Sequence, residues 1–353
     1  MRLLTESDIL NALNLVIDPD FNRGITELGF VQNLKIKNYE SEISVAFDLV
    51  LTTPTCPVKD EFIIKCKQIL SDIGVAKTDI KLSFSSGETA SAKEEKQLPS
   101  LLKNVKKIIA IASGKGGVGK STITANLAMA AALNGKSVGV LDADLYGPSM
   151  GLMFGITESP EINSDKTLNP IISHGVKVAS AAMLFPPEQA IVWRGPRASA
   201  MIKNLLNFVH WDSLDYLFID FPPGTGDIQL SIIQGCELSG AILVSTPQNV
   251  ALADCIKGHS LFAETKVPVL GLIENMSYFI CDKCEKEHYI FGQSGGKKLA
   301  ETLKIPLLGQ IPIETSTMQG AENGLPAVLS CPNSKSSAEF NKIIDTIVAL
   351  PEG

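Results

Sequence analysis

The sequence predicts an α/β fold: a doubly wound, mostly parallel sheet preceded by a small α+β domain. Three observations carry this. Between residues 107 and 312 lies a series of short apolar runs, most of them continuous rather than alternating, as expected for strands covered on both faces. Helical stretches at 120–134, 249–263, 294–303 and 337–349 fall between them, the rhythm of a parallel sheet with crossover helices. Residues 85–107, SSGETASAKEEKQLPSLLKNVKK, are polar and charged and divide the chain like a linker. The expected units are a small domain over 1–85, a linker over 86–105 and a large domain over 106–353. Two domains also suit a length of 353 residues.

The small domain opens with Leu4, Ile9, Leu13 and Val16 near helical spacing, with Thr5 or Ser7 as cap and Asp18-Pro19-Asp20 as the stop. VQNLKIKN and EISVAFDLVL alternate like strands, and the short turn near Tyr39–Ser41 makes them a hairpin. A second helix is expected after Pro57, and DIKLSF closes an α-β-β-α-β order. In the large domain the expected strands are KIIAIAS (107–113), SVGVLDAD (137–144), VKVASA (176–181), YLFID (216–220), AILVST (241–246), VLGLIEN (269–275) and LLGQIP (307–312). Ligands of such sheets bind outside the strands' carboxyl ends.

Composition narrows the function. There are 31 Lys and Arg against 38 Asp and Glu, a formal net charge of −7. That speaks against binding nucleic acid by broad charge attraction. The 7 cysteines are too few and too unevenly spaced for a disulfide scaffold. No apolar run reaches the ~18 residues of a membrane span. MRLLTESDIL carries no signal-peptide core. The expected setting is the cytoplasm, with no nucleic-acid or membrane partner.

Residues 114–121 read GKGGVGKS, the G-x-x-x-x-G-K-[ST] pattern, after a strand and before a helix. Glycines let the backbone N–H groups surround phosphate oxygens. The nucleotide-binding set is Gly114, Lys115, Gly116, Gly117, Val118, Gly119, Lys120, Ser121 and Thr122. Lys120 supplies charge to the β- and γ-phosphates of ATP, and the Ser121 hydroxyl is a ligand for Mg²⁺. Asp142 and Asp144 end one strand and Asp220 another, the second followed by FPPGTGD. Asp220 is assigned to Mg²⁺ and Asp142 to the same magnesium–water network. The Gly224 N–H is expected at the γ-phosphate, which would make its loop a switch that senses hydrolysis.

Cys281 and Cys284 form CDKC within the charged run CDKCEKEH. Buried structural cysteines usually sit among apolar residues, as Cys66, Cys236 and Cys255 do here. The exposed pair suits a redox dithiol, a zinc knuckle or an iron–sulfur cluster. A closed metal site needs four ligands. His288 offers a third, and two facing CDKC pairs of a C₂ dimer offer four thiolates. Cys56 precedes a helix, which favours a thiolate that binds or relays metal. Cys331, in a loop, has no assignment.

KGGVGKST resembles the deviant P-loop of the MinD/ParA/nitrogenase-iron-protein group. The resemblance implies a nucleotide-sandwich homodimer in which Lys115 reaches the partner's nucleotide. It also implies that Asp144 orients the attacking water and that Asn275 contacts adenine. SGKGGVGKST, LDADLYGPSM, IDFPPGTGDIQLSI, STPQ, ENMSYFICDKC and FGQSGGKKLAE, in this order, resemble the Mrp/ApbC family of iron–sulfur carriers over residues ~105–350. DPDFNRGITELGFVQ and LTTPTCPVKDEF resemble the small iron–sulfur-assembly domain that many bacterial members carry in front.

What this implies is an ATPase that holds a cluster, expected as [4Fe–4S], on Cys281 and Cys284 of two protomers. It would exchange that cluster with the assembly machinery and with apo iron–sulfur proteins. Two other readings stand beside it. One is a ParA/MinD-like positioning ATPase cycling on DNA or membrane. The other is an electron-transferring reductase like the nitrogenase iron protein, whose cluster cysteines are well separated rather than a tight C-x-x-C.

Overall fold

A computed structural model describes residues 4–18, 23–38, 43–51, 59–84, 101–165, 167–184, 195–281, 283–284 and 286–349. Cys56 lies outside the described residues. The chain forms two compact units, Met1–Leu98 and Pro99–Gly353.

In the first unit, α1 (Glu6–Leu13) starts with a capping box: the Thr5 hydroxyl accepts the Asp8 N–H and the Asp8 carboxylate accepts the Thr5 N–H. The helix stops at Leu13, short of the expected Asp18. Asn14 is its C-cap, and the Asn14 side chain accepts the Thr26 hydroxyl and the Glu27 N–H instead of prolonging the helix. Val16 remains buried although it is no longer helical. β1 (Ile17–Asp18) pairs antiparallel with β2 (Arg23–Gly24). β3 (Val31–Asn38) and β4 (Ile43–Leu51) pair antiparallel, as expected; the turn near Tyr39–Ser41 lies outside the described residues. α2 (Lys59–Asp72) then carries the chain to β5 (Lys77–Phe84), which lies parallel to β4. Ile43, Val45, Phe47 and Leu49 of β4 point inward with Ile9, Leu13, Phe62 and Leu70. Cys66 is part of this core, and burial pushes its thiol up to about 12.

The second unit runs β6 (Val105–Ala112), α3 (Lys120–Leu133), β7 (Val138–Asp142), α4 (Met150–Met153), β8 (Ile171–Ser173), β9 (Val176–Ser180) and α5 (Gly195–Phe208). It continues with β10 (Leu214–Asp220), α6 (Asp227–Gly235), β11 (Gly240–Ser245), α7 (Asn249–Glu264) and β12 (Val269–Glu274). A small hairpin of β13 (Phe279–Ile280) and β14 (Glu287–His288) follows. The chain then adds α8 (Gly295–Leu303), β15 (Leu307–Gln310), α9 (Thr315–Glu322), α10 (Ala327–Ser330) and α11 (Lys335–Val348).

The central sheet has eight strands in the order β15-β12-β11-β6-β10-β7-β9-β8. All of it is parallel except β8, which runs antiparallel to β9 on the edge. β8 and α5 are additions to the expected elements. β8 is too short to show a period, and its middle residue, Ile172, is exposed. Leu102 is buried, and the Val105 N–H closes a turn onto the Leu102 carbonyl just before β6. No helix among the described residues is long and apolar enough to cross a membrane.

Period-two alternation on β6 builds two cores. Ile109 and Ile111 face the core that includes α3 and α11, while Ile108, Ala110 and Ala112 face the core that includes α5 and α7. β6 has β10 on one side and β11 on the other. The connection through α3 runs one way across the sheet and later crossovers run the other, so the strand order reverses at β6. Its carboxyl end is therefore where a doubly wound sheet opens a crevice. Phe340 on α11 is fully buried in the first of these cores. Phe340→Ala should cost about 3–5 kcal/mol, read as a lower thermal midpoint of this unit in calorimetry.

Candidate functional site: a phosphate loop joined to a cysteine hairpin

β6 delivers the chain to the loop at residues 113–119. Gly114 lies against the backbone of α7, where a Cβ would come within 2.1 Å of the Asp254 carbonyl. Gly117 and Gly119 both have φ of 80°, the left-handed region that turns successive N–H groups to one side. α3 starts at Lys120, so its positive end faces the same space. Lys115, Gly116 and Gly117 are exposed, whereas Val118 is buried and anchors the loop.

Asp220, at the end of β10, has no solvent exposure. Its Oδ2 meets Lys120 Nζ at 2.8 Å and accepts the Ser121 hydroxyl at 2.6 Å. Its Oδ1 accepts the Thr124 hydroxyl at 2.8 Å. Thr124 was not among the expected residues; its signal is the helical spacing from Lys120. This is a compact set of hard oxygen donors around a buried charge, and it fits a small divalent cation such as Mg²⁺.

Asp142 stands opposite Asp220 across the β7–β10 register. Its carboxylate accepts the N–H groups of Asp144, Ser149 and Met150 and the Ser180 hydroxyl, at 3.1–3.2 Å. Burial holds its carboxyl above the ordinary range, and the Asp220 charge adds to this, against the backbone donors and Lys120. In this structure Asp142 thus organises the 144–150 loop. Asp144 is partly exposed, and its carboxylate accepts the Gly147 N–H at 3.2 Å.

Two further expected residues have protein partners here. The Gly224 N–H donates to the Ser113 carbonyl at 3.0 Å. Asn275 donates from Nδ2 to the Val118 carbonyl at 2.8 Å, a direct contact with the phosphate loop. A Cβ on Gly119 would meet that Nδ2 at 2.2 Å. Gln229 is a further buried side chain that sequence reasoning misses. It donates to the carbonyls of Pro222 and Pro223 and accepts the Gly226 N–H, which fixes the PPGTG loop.

The hairpin of β13 and β14 pairs Phe279 with His288 and Ile280 with Glu287. The Cys281 N–H donates to the Lys286 carbonyl at 3.0 Å. This folding brings the ligand atoms of Cys281, Cys284 and His288 within 4.8 Å of one another. Cys281 is half-buried, and Cys284 and His288 are exposed. His288 therefore joins the thiols, as a third donor one short of a closed tetrahedral set. Cys236 and Cys255 are elsewhere, and burial pushes both thiols up to about 12. Cys331 caps α10 outside the cluster.

One segment joins the two places. Glu274 ends β12 with no exposure, and its carboxylate accepts the Ser277 hydroxyl, the Gln310 amide and the Gly296 N–H. The next residue, Asn275, grips the phosphate loop. The Ser277 N–H then bonds Ile311 and the Tyr278 carbonyl accepts from Ile313, after which β13 begins.

Comparisons with known proteins agree with this layout. Residues 104–348 match the family described as "NUBPL iron-transfer P-loop NTPase", and residues 6–79 match "Iron-sulfur cluster assembly protein". The chain is similar to an iron-sulfur cluster carrier protein of Synechocystis, at 39% identity, with 98% of this chain and 97% of that protein covered. Among solved structures it resembles a nucleotide-binding protein from Archaeoglobus fulgidus in complex with ADP. The TM-score is 0.57 and the identity 39%, covering 64% of this chain and 89% of that one. The cell division ATPase MinD of Pyrococcus furiosus shares the fold, with a TM-score of 0.54 and 24% identity over 70% of this chain and all of that one. The chain belongs to the NUBPL-type iron-transfer P-loop NTPases, with an iron–sulfur cluster assembly domain in front.

Proposed function

We propose that this protein is an iron–sulfur cluster carrier that couples ATP binding and hydrolysis to loading or release of its cargo. The observation that carries the reading is the continuity of residues 274–288. One end holds the phosphate loop through Asn275, and the other presents Cys281, Cys284 and His288. A displacement of the loop has a short, hydrogen-bonded route to the thiols.

The residues divide the work as follows. Lys120, which neutralises Asp220 here, turns to the β- and γ-phosphates when ATP enters. Ser121 and Asp220 would hold Mg²⁺, which would supply positive charge to the phosphates. Lys115 stands exposed on the loop and reaches the nucleotide of a second protomer. Asp144 orients the attacking water, and Asp142 keeps the Asp144 loop in shape. Gly224 exchanges its bond to Ser113 for the γ-phosphate, so its loop relaxes on hydrolysis. Two protomers meeting at the nucleotides bring two CDKC pairs together, and four thiolates suit a [4Fe–4S] cargo. Apo iron–sulfur proteins receive it.

Three outcomes test this. Cys281→Ala or Cys284→Ala should remove cluster binding in anaerobic reconstitution while ATP hydrolysis persists; iron and sulfide contents equal to wild type would refute the bridging site. Lys120→Ala should slow ATP hydrolysis by about 10²–10³-fold, measured as phosphate release. Asn275→Ala should leave cluster loading intact but abolish the effect of ATP on the cluster release rate, followed by absorbance during transfer to an apo-ferredoxin.

A further inference from the structure

The cysteine hairpin has a second side. Phe279 and His288 pair across it, with ring centroids 6.5 Å apart. Side chains alternate along a strand, so Glu287 and Tyr289 leave His288 on the opposite side. There the ring of Tyr289 meets that of Tyr278, at 6.1 Å and 51°. Behind them lies a cleft of about 430 Å³, within the range of ligand pockets. Tyr278, Glu287, Tyr289, Gln293, Gln310 and Glu339 line it.

The cleft combines aromatic faces with carboxylates and has no cationic side chain among its lining residues. One Glu287 oxygen accepts the Tyr289 hydroxyl at 2.9 Å. Glu339 forms the far wall, with Oε1 on Lys342 and Oε2 turned toward Gly309. Burial raises the Tyr278 hydroxyl above its ordinary value, and the Glu287, Glu339 and Glu314 charges near it raise it further. A guanidinium fits this set best. It is planar, stacks on aromatic rings and gives parallel N–H donors to a carboxylate. A lysine ammonium is a point charge with a tighter water shell.

We propose that this cleft receives an arginine side chain of the protein that exchanges cargo with this one. The inference rests on the carrier reading above. An arginine held by Glu287 and Tyr289 docks the partner one residue from His288 on either side. It sets the partner's approach to Cys281 and Cys284 without occupying the cargo site.

The test uses the full chain, without cluster, labelled with fluorotyrosine. Tyr278→Phe and Tyr289→Phe assign the two ¹⁹F resonances. A blocked Gly-Arg-Gly peptide should shift both resonances saturably, and the same peptide carrying neutral citrulline should bind at least about tenfold more weakly. Glu287→Gln, an exposed and structurally mild change, should weaken the arginine peptide by a similar factor while leaving ATP hydrolysis unchanged. Absence of a saturable shift, equal binding of citrulline or lysine peptides, or no effect of Glu287→Gln would overturn the site. Guanidinium chloride binding as tightly as the peptide would assign the cleft to a small cation and overturn the partner reading. Because no cluster is present, failure here leaves the carrier reading standing; that reading falls on the cysteine variants instead.

Discussion

A carboxylate sealed from water has to be neutralised, and at the end of β10 that requirement organises the nucleotide end of the molecule. Desolvating an unpaired carboxylate costs several kcal/mol even after relaxation. Asp220 meets the cost with one cation, Lys120, and two hydroxyls, Ser121 and Thr124. Those three groups stand on the first turns of α3, so the start of the helix is tied to the sheet. The helix start in turn fixes where the glycine loop begins to bend. A group that draws Lys120 away must bring positive charge to Asp220 in exchange. That exchange is what a phosphate accompanied by a divalent cation would supply under the proposed function.

The same logic runs through the other buried polar groups. Glu274 sits where α8 begins and uses the Gly296 N–H, a hydroxyl and an amide as its partners. Asn275 takes the Val118 carbonyl, an acceptor on the buried residue of an otherwise exposed loop. The close approach of its amide to Gly119 leaves no room for a side chain there. These contacts are individually modest, but each unsatisfied partner would cost about 1–3 kcal/mol. They hold the loop and the segment after β12 in one register. Fold alone does not single out such coupling, since MinD shares the sheet at 24% identity. The hairpin between β12 and α8 places Cys281, Cys284 and His288 beyond that shared sheet.

Much of this was legible in the sequence. The interior strands are continuous apolar runs because helices cover both faces, and their positions follow directly. The phosphate loop is legible because its chemistry demands glycine backbone and a terminal lysine. The stop of α1 is not legible because Val16 stays buried after the helix ends, so the apolar period continues past it. β8 was hidden by its brevity and by the exposed Ile172. The cysteine pair and His288 as a third donor are both legible in the charged run CDKCEKEH; their convergence is not, because it comes from the antiparallel pairing of Phe279 with His288. Gln229 and Glu274 were invisible for another reason: a buried polar residue looks like a surface one until its partners are known.

The hairpin that presents the thiols has two residues in each strand, and β14 is exposed. A two-stranded hairpin is marginal in water even when longer, and segments with little buried apolar contact open at low cost. A cargo held by Cys281 and Cys284, as proposed, would add its binding free energy to this local equilibrium. Under the proposed function, loaded and empty carrier differ in how often β13 and β14 separate, so the cargo itself sets the order of the surface that receives it.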